Sequence, residues 1–305
     1  MFTCPVDNSL TLLVDAPSLI YRALFSTPDT IRTRQGAPIN AAYGFLGMLA
    51  RLIADNDPDY VALAADDNWR PEWRVELLPS YKQQRAEPGS QQEQSEELLA
   101  PQVPIAYDLL SKCGLNVIGH PEFEAEDIIG TLAARAPGKV AIFSGDRDLF
   151  QLVEDPKTVV LYPVRGVSKI DVVDERFIED KYGIPGRAYR DYAVLRGDPS
   201  DGLPGVRGVG EKLAETLIVK HGNIDKIVEL AEAGEQGQAM AKVKKDIDYV
   251  KRAVEVVTIR TDVPLPEIDI TRPRDFDSDG VIAEAKDLGL QGRVRSLVSA
   301  LKGTT

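Results

Sequence analysis

Histidine and cysteine are nearly missing from this chain of 305 residues, which carries two of each. His120 and His221 lie far apart in the sequence. That leaves little material for a histidine-built zinc or iron site, or for a Ser-His-Asp triad. His120, before Pro121, reads as a turn residue. Cys4 and Cys113 form no metal or redox spacing; Cys113, beside an apolar stretch, reads as a small buried hydrophobe, and a reduced compartment suits the pair. No run approaches the apolar length of a membrane span, and "MFTCPVDNSL" lacks the basic and apolar regions of a signal peptide, so the expectation is cytoplasmic, with no membrane partner. Positive charge is also short: 36 Lys and Arg against 48 Asp and Glu, a net charge of −12. Taken alone, that argues against nucleic acid as a partner. The objection assumes acids spread over the surface, and any metal site in this chain must be built of oxygen.

What is present is a regular alternation. Short runs at 10–16, 59–66, 115–120, 139–146 and 158–164 are rich in aliphatic and β-branched residues, and helical patterns such as "INAAYGFLGMLARLIADN" (39–56) and "AEDIIGTLAARA" (125–136) lie between them. Continuous apolar strands alternating with helices predict an α/β fold around a doubly wound, mainly parallel sheet. Ligands of such sheets sit at the carboxyl ends of the strands, where Asp15, Asp67 and Asp146 fall. After about residue 174 helices predominate, so the expected division is a core over 1–173 and a helical region over 174–305. The polar, Gln-rich stretch 85–100 reads as a mobile loop leading into a helix.

Candidate ligands occur in five places: Asp15; Asp67; Glu124, Glu126 and Asp127; Asp146 and Asp148; Asp198 and Asp201. Each has an ordinary explanation. Acids suit a helix N-terminus, Asp suits turns, and Asp148 in "SGDRDLFQL" would cap a helix beginning at Leu149. A doubly wound sheet nevertheless gathers strand ends and adjoining loops at one crevice. Two carboxylates about 5 Å apart repel by roughly 3 kcal/mol at an effective dielectric near 20, so a cluster of this size calls for cations or protons. Hard oxygen ligands without histidine or thiolate select Mg²⁺ or Mn²⁺, and two or more ions suit phosphodiester hydrolysis. Setting the nine acids aside leaves 39 against 36 basic residues, close to neutrality.

Two further segments fit a nucleic-acid substrate. "LPGVRGVGEKLAETLI" (203–218) lacks the dinucleotide spacing but looks like a helix–hairpin–helix, whose glycines and helix N-terminus approach a phosphate while Lys212 adds charge. "WRPEWRVELLPSYKQQR" (69–85) interleaves aromatics with Arg70, Arg74, Lys82 and Arg85, a pattern for clamping phosphate and stacking bases.

In this order, "LLVDAPSLIYRA", "INAAYGFLGML", Asp67 followed by Arg74 and "YKQQR", "EFEAEDIIGTLA", "SGDRDLFQL" and "RGDPSDGLPGVRGVGEKLA" resemble the bacterial 5′-nuclease (flap endonuclease) family, which includes the N-terminal domain of DNA polymerase I. The resemblance runs from about residue 10 to 270. It implies a metal-dependent 5′–3′ exonuclease and flap endonuclease acting in replication (RNA-primer removal) and repair, with an arch at about 70–102 and the helical hairpin at about 190–220. It further implies that the nine acids are metal-site carboxylates and that Lys82, Arg85, Asp146 and Asp148 are catalytic. Tyr21, Arg22, Arg74, Tyr81, Lys82, Arg85, Gly205, Val206, Gly208, Gly210 and Lys212 would contact DNA, and K⁺ would bind hairpin carbonyls. The implied partners are flapped, nicked or recessed DNA duplexes and primer RNA–DNA hybrids, met by a nucleoid-associated monomer. Two positions depart from the pattern: Glu126 stands where many members have Asp, and Gly202 replaces the usual Asn. A ribonuclease on the related PIN-like scaffold, an aspartyl-phosphatase and a non-catalytic DNA binder are the alternatives. The hairpin and arch weigh against the first, the missing second aspartate in "DAPS" against the second, and the full carboxylate set against the third.

Overall fold

The computed structural model describes residues 8–303, so Cys4 and most of the N-terminal stretch weighed as a signal peptide lie outside it. β-Branched valine and threonine favour extended chain and a continuous apolar run suits a strand buried on both faces, and β1 (Leu10–Asp15) runs through the middle of the sheet. Helices α1 (Ala16–Ser26) and α2 (Asn40–Asn56) lead to β2 (Tyr60–Ala64). The link to β3 (Val117–Ile118) is long and carries α3 (Glu72–Leu77), α4 (Gln91–Leu99) and α5 (Val103–Lys112). Then come α6 (Ala125–Arg135), β4 (Lys139–Phe143), β5 (Thr158–Arg165) and β6 (Lys169–Val173).

The strand order is β3-β2-β1-β4-β5-β6, with the first five parallel and β6 antiparallel to β5. The mainly parallel α/β sheet expected from the sequence is present. β6 is an additional edge strand: in "KIDVV" Lys169 and Asp171 interrupt the aliphatic residues and only Val173 is buried, so it carries no continuous apolar signal. Side chains alternate across the sheet with the two-residue period of a strand. Leu12 and Val14 of β1, with Ala141 and Phe143 of β4, face one core layer, whereas Leu13, Val140 and Ile142 face the other.

Beyond the sheet lie α7 (Glu175–Tyr182), α8 (Tyr189–Arg196), α9 (Glu211–His221), α10 (Ile224–Ala233), α11 (Gln238–Lys245) and α12 (Ile247–Val257). Their apolar faces share one continuous core with Leu13, α6 and β4, so the texture change near residue 174 does not separate two cores. The last two helices, α13 (Ser278–Glu284) and α14 (Gln291–Lys302), return to the opposite face, where α14 packs on α2 and α13 on α14, and Val294, Leu297 and Leu301 join the core that holds α1 and α2. Cys113 is buried in that layer, as its apolar neighbours imply.

Candidate metal centre and cleft

β1 and β4 are neighbours in the sheet, yet the chain visits β2 and β3 between them. That reversal of strand order opens a crevice at their carboxyl ends. Asp15 ends β1, and its Oδ1 caps α1 by accepting the Ser18 N–H (2.9 Å). Its Oδ2 accepts the Ser144 hydroxyl (2.5 Å) from the end of β4. Three residues past β4, the Asp146 carboxylate accepts the Asp148 N–H (2.9 Å). This bond shapes the turn, and the short helix Asp148–Leu152 has no side-chain cap of its own. Asp148 therefore begins that helix rather than capping it.

The β2 end corrects one expectation. Asp66, and not Asp67, lines the cleft, where its Oδ1 accepts the Ala125 N–H (2.6 Å). Asp67 is exposed and lies against Gly119 beside β3. Adjacent residues on extended chain face opposite ways, so only one of the "DD" pair can enter the crevice.

From the start of α6, Glu124 and Glu126 reach the cleft wall. Asp127 does not: its oxygens accept the Glu124 N–H (3.2 Å) and the Arg260 N–H (2.9 Å) and pair with Arg74. It closes the helix start and the returning chain instead of facing the cleft. Asp198 and Asp201 arrive on the turn after α8, where Asp198 also accepts the Ser200 N–H (2.9 Å). Nine acids, Asp15, Asp66, Glu124, Glu126, Asp146, Asp148, Asp198, Asp201 and, at the start of α9, Glu211, thus line one cleft of about 960 Å³.

Protein cations serve only part of this cluster. The Lys82 ammonium pairs with Glu124, whose other oxygen accepts the Tyr81 hydroxyl (2.9 Å), and Arg85 pairs with Asp201 (2.6 Å). Burial alone would raise the Glu124 carboxyl, but Lys82 and Arg74 hold it below its ordinary value. Asp15, Asp66, Asp146 and Asp148 make no ion pair among the described residues. Burial pushes the Asp15 carboxyl up to about 7. Burial, then the neighbouring Asp146 and Asp201, pushes Asp148 well above the carboxylate range, with Asp201 in hydrogen-bond contact. Buried carboxyls without counter-charge are what an oxygen-ligated cation would relieve, so these residues fit a hard divalent ion. Among the described residues no three of them already converge as a closed coordination shell, consistent with mutual repulsion.

Residues 10–183 match the family model of the 5′-3′ exonuclease N-terminal resolvase-like domain, and residues 184–279 match that of the 5′-3′ exonuclease C-terminal SAM fold. The chain belongs to the 5′-3′ exonuclease family. It is 40% identical over 299 residues to a 5′-3′ exonuclease of Streptomyces coelicolor, covering 95% of this chain and 99% of that one. A 5′-3′ exonuclease of Mycobacterium tuberculosis is 39% identical over 317 residues, covering 96% and 98%. Among solved structures, a bacteriophage T5 flap endonuclease complexed with DNA and metal ions shares the fold at a TM-score of 0.68 and 17% identity, over 96% of this chain and 99% of that one. Flap endonuclease-1 of Methanococcus jannaschii does so at 0.60 and 18%, over 98% and 94%.

In this nuclease several residues expected at DNA are committed elsewhere. Arg74 is fully buried, 2.8 Å from both Glu124 and Asp127 and 3.0 Å from Glu126. Tyr81 is buried with its hydroxyl on Glu124, so it offers no face for stacking. Arg70 braces backbone, donating to the carbonyls of Pro79 (3.1 Å) and Tyr81 (2.8 Å). Arg22 packs against Gly145, outside the cleft lining, whereas Tyr21 lines it. The Gln-rich stretch runs as a loop after the helical turn Gln83–Arg85 and leads into α4, as expected, and Gln92 Nε2 donates to the Tyr21 hydroxyl (2.7 Å). Trp69, at the head of the segment read as stacking bases, does line the cleft, whereas sequence reasoning missed Tyr162, Arg196 and Glu211. Arg196 was findable, standing two residues before Asp198.

The helical hairpin forms between α8 and α9, and Gly210 precedes the first turn of α9. Gly205 has φ +71°, and a Cβ there would lie 2.5 Å from the Arg196 carbonyl oxygen, so the hairpin closes only on glycine. Its N–H donates to the Tyr249 hydroxyl (3.0 Å), a buttress the sequence did not reveal. Val206 is buried and its N–H is spent on the Leu195 carbonyl (3.0 Å), which removes it from the expected DNA contacts. The Gly208 carbonyl accepts the Lys242 ammonium (2.7 Å). Lys212 projects, 86% exposed, with only Glu215 beside it.

Proposed function

We propose that this nuclease is a divalent-metal-dependent 5′-3′ exonuclease and flap endonuclease that hydrolyses DNA phosphodiesters at 5′ ends and flaps, as primer removal and repair require. The carrying observation is the single cleft into which six separate chain segments deliver nine acids, with Lys82 and Arg85 in the same lining. Asp15, Asp66, Asp146 and Asp148 have the unmet charge to hold Mg²⁺ or Mn²⁺, with Glu124, Glu126, Asp198 and Asp201 within the same lining. When bound, such an ion supplies Lewis acidity toward a phosphoryl oxygen and stabilises its developing charge. The chain's own groups position and shield. Burial alone would discharge Lys82, but Tyr81 and Glu124 keep its ammonium charged far above the usual range, ready for a phosphate oxygen. Arg85 offers a second donor, and Tyr21 and Trp69 provide aromatic surface in the lining. Over 190–220 the hairpin presents Lys212 and the start of α9 to duplex phosphates, with the nuclease acting as a monomer in the cytoplasm.

Labelled 5′-flap and recessed duplexes test the reading: cleavage in Mg²⁺ or Mn²⁺, products with 3′-hydroxyl ends, and no reaction in excess EDTA. Preferential attack on 3′ ends, or hydrolysis that survives EDTA, overturns it; preference for single-stranded RNA would favour the ribonuclease alternative.

The two basic regions are expected to fail differently. Lys82→Ala lowers the single-turnover rate at saturating enzyme by about 10²–10³, the scale for losing one pre-organised donor. Lys212→Ala mainly weakens binding and reduces the log–log salt slope by about 1. Equal losses of saturated rate in both variants would refute this division of labour.

A further inference from the structure

Ser80 to Arg85, the segment that carries Lys82, is fastened to the turn that carries Asp198 and Asp201. The Lys82 N–H donates to the Asp201 carbonyl (3.0 Å). Gln84 Nε2 donates to the carbonyls of Pro199 (3.0 Å) and Ser200 (2.7 Å), and Arg85 reaches the same Ser200 carbonyl (3.0 Å). From the other side Arg70 holds the carbonyls of Pro79 and Tyr81. Lys82 itself has φ +48°, a left-handed conformation that only one other non-glycine among the described residues adopts.

The two pieces of backbone meet at Gly202. Its φ is +71°, and a Cβ built there would sit 1.9 Å from the Ser80 carbonyl oxygen and 3.2 Å from the Lys82 nitrogen. The first contact is with backbone and cannot be relieved by rotating a side chain. With the backbone spacing of this chain, a Cβ at 202 forces the two segments apart by about 1 Å, the wider seating that the family's usual Asn would need, and near a reacting centre a displacement of that size costs on the order of 100-fold in rate.

We propose that Gly202 is a positioning residue for cleavage: its missing side chain sets the depth at which Lys82 and Arg85 stand in the acidic cleft. This rests on the reading of the cleft as a metal-dependent phosphodiesterase site. Gly202 touches no reacting atom. It acts through Ser80 and Lys82, and through the Asp201 carbonyl that receives the Lys82 N–H.

Two substitutions separate seating from backbone strain. Asn tolerates a left-handed φ better than Ala, but both add the same Cβ. If strain alone matters, Gly202→Ala suffers and Gly202→Asn is spared. If the contact with Ser80 matters, both fall alike, by about 100-fold in single-turnover cleavage of a 5′ flap at saturating enzyme. Flap affinity measured in Ca²⁺ should stay unchanged. Trp69 and Trp73 are the chain's two tryptophans. Trp69 lines the cleft next to Arg70, so the DNA-free emission spectrum should shift in both variants. A wild-type rate for Gly202→Asn overturns the proposal, as does rate loss with unchanged emission or with a matching loss of affinity. Should either variant fail to fold, Gln84→Leu frees the same turn while leaving Gly202 in place. It should lower the rate severalfold and shift the emission, and a wild-type rate there also overturns the proposal. A wild-type protein inactive on flaps in every divalent ion would instead sink the phosphodiesterase reading, and the emission result would still report the seating.

Discussion

Asp148→Asn is expected to lower cleavage by at least about 10³-fold while leaving a folded protein that is more stable than wild type when metal-free at neutral pH. The rate loss follows from charge. Asn keeps the shape of Asp but removes one anionic oxygen ligand, and several kcal/mol of lost transition-state stabilisation corresponds to three or more decades. The stability gain follows from burial: Asp148 is 7% exposed, sits beside Asp146 and Asp201, and pairs with no cation among the described residues. Thermal melts in EDTA, set beside single-turnover rates in Mg²⁺, check both halves. Full activity in the Asp148→Asn variant would leave Asp148 as a turn residue only.

The same groups set a pH dependence whose sign can be worked out. In the metal-free fold the Asp15 carboxyl titrates at about 7 and Asp148 well above the usual range, against about 4 in the unfolded chain. The folded state therefore binds more protons at these two groups above about pH 4, so their contribution to stability is fully present below about pH 4 and is lost as pH rises through 7. Divalent metal should flatten that fall, because it replaces the protons. Asp148→Asn should flatten it without metal.

The carboxylate pattern was legible because each acid follows a recognisable strand end, helix start or turn, and the sheet's strand order brings those points together. Its ordinary and functional explanations turn out to be compatible. Asp15 caps α1 and Asp198 shapes its turn, and both still line the cleft. What could not be read was side-chain direction. Asp66 and Asp67 are the same residue type in the same run, and only the exit of β2 decides which one turns inward. Arg70, Arg74 and Tyr81 looked like a nucleic-acid surface because basic and aromatic residues alternate there, but composition does not say which side of a segment is packed. β6 escaped for a related reason, since its pairing with β5 is a tertiary fact that a short run broken by Lys169 and Asp171 does not advertise. The helical half differs in texture from the sheet-bearing half, and its apolar faces continue the core beneath the sheet.

Arg74 gives the sharpest test of that correction. Its guanidinium is the buried counter-charge for Glu124, Glu126 and Asp127 together, a task one ammonium could not perform with the same planar geometry. Removing one partner of a buried ionic cluster while leaving the others typically costs about 3–5 kcal/mol, so Arg74→Met should lower Tm by roughly 5–15 °C. The loss should depend on pH in a particular way. In wild type Glu124 is held below its ordinary value, so its contribution is present above about pH 4.5 and fades as pH falls. In the Met variant the stranded carboxyls are pushed upward, so their penalty grows as pH rises and vanishes once they are protonated. The two melting curves should therefore separate toward neutrality and converge only at acid pH, below the depressed Glu124 value. Flap affinity of the folded variant, measured at low temperature, should match wild type, because the guanidinium faces carboxylates and not solvent. Loss of affinity with no change in Tm would return Arg74 to the DNA-contacting face that its sequence neighbours imply.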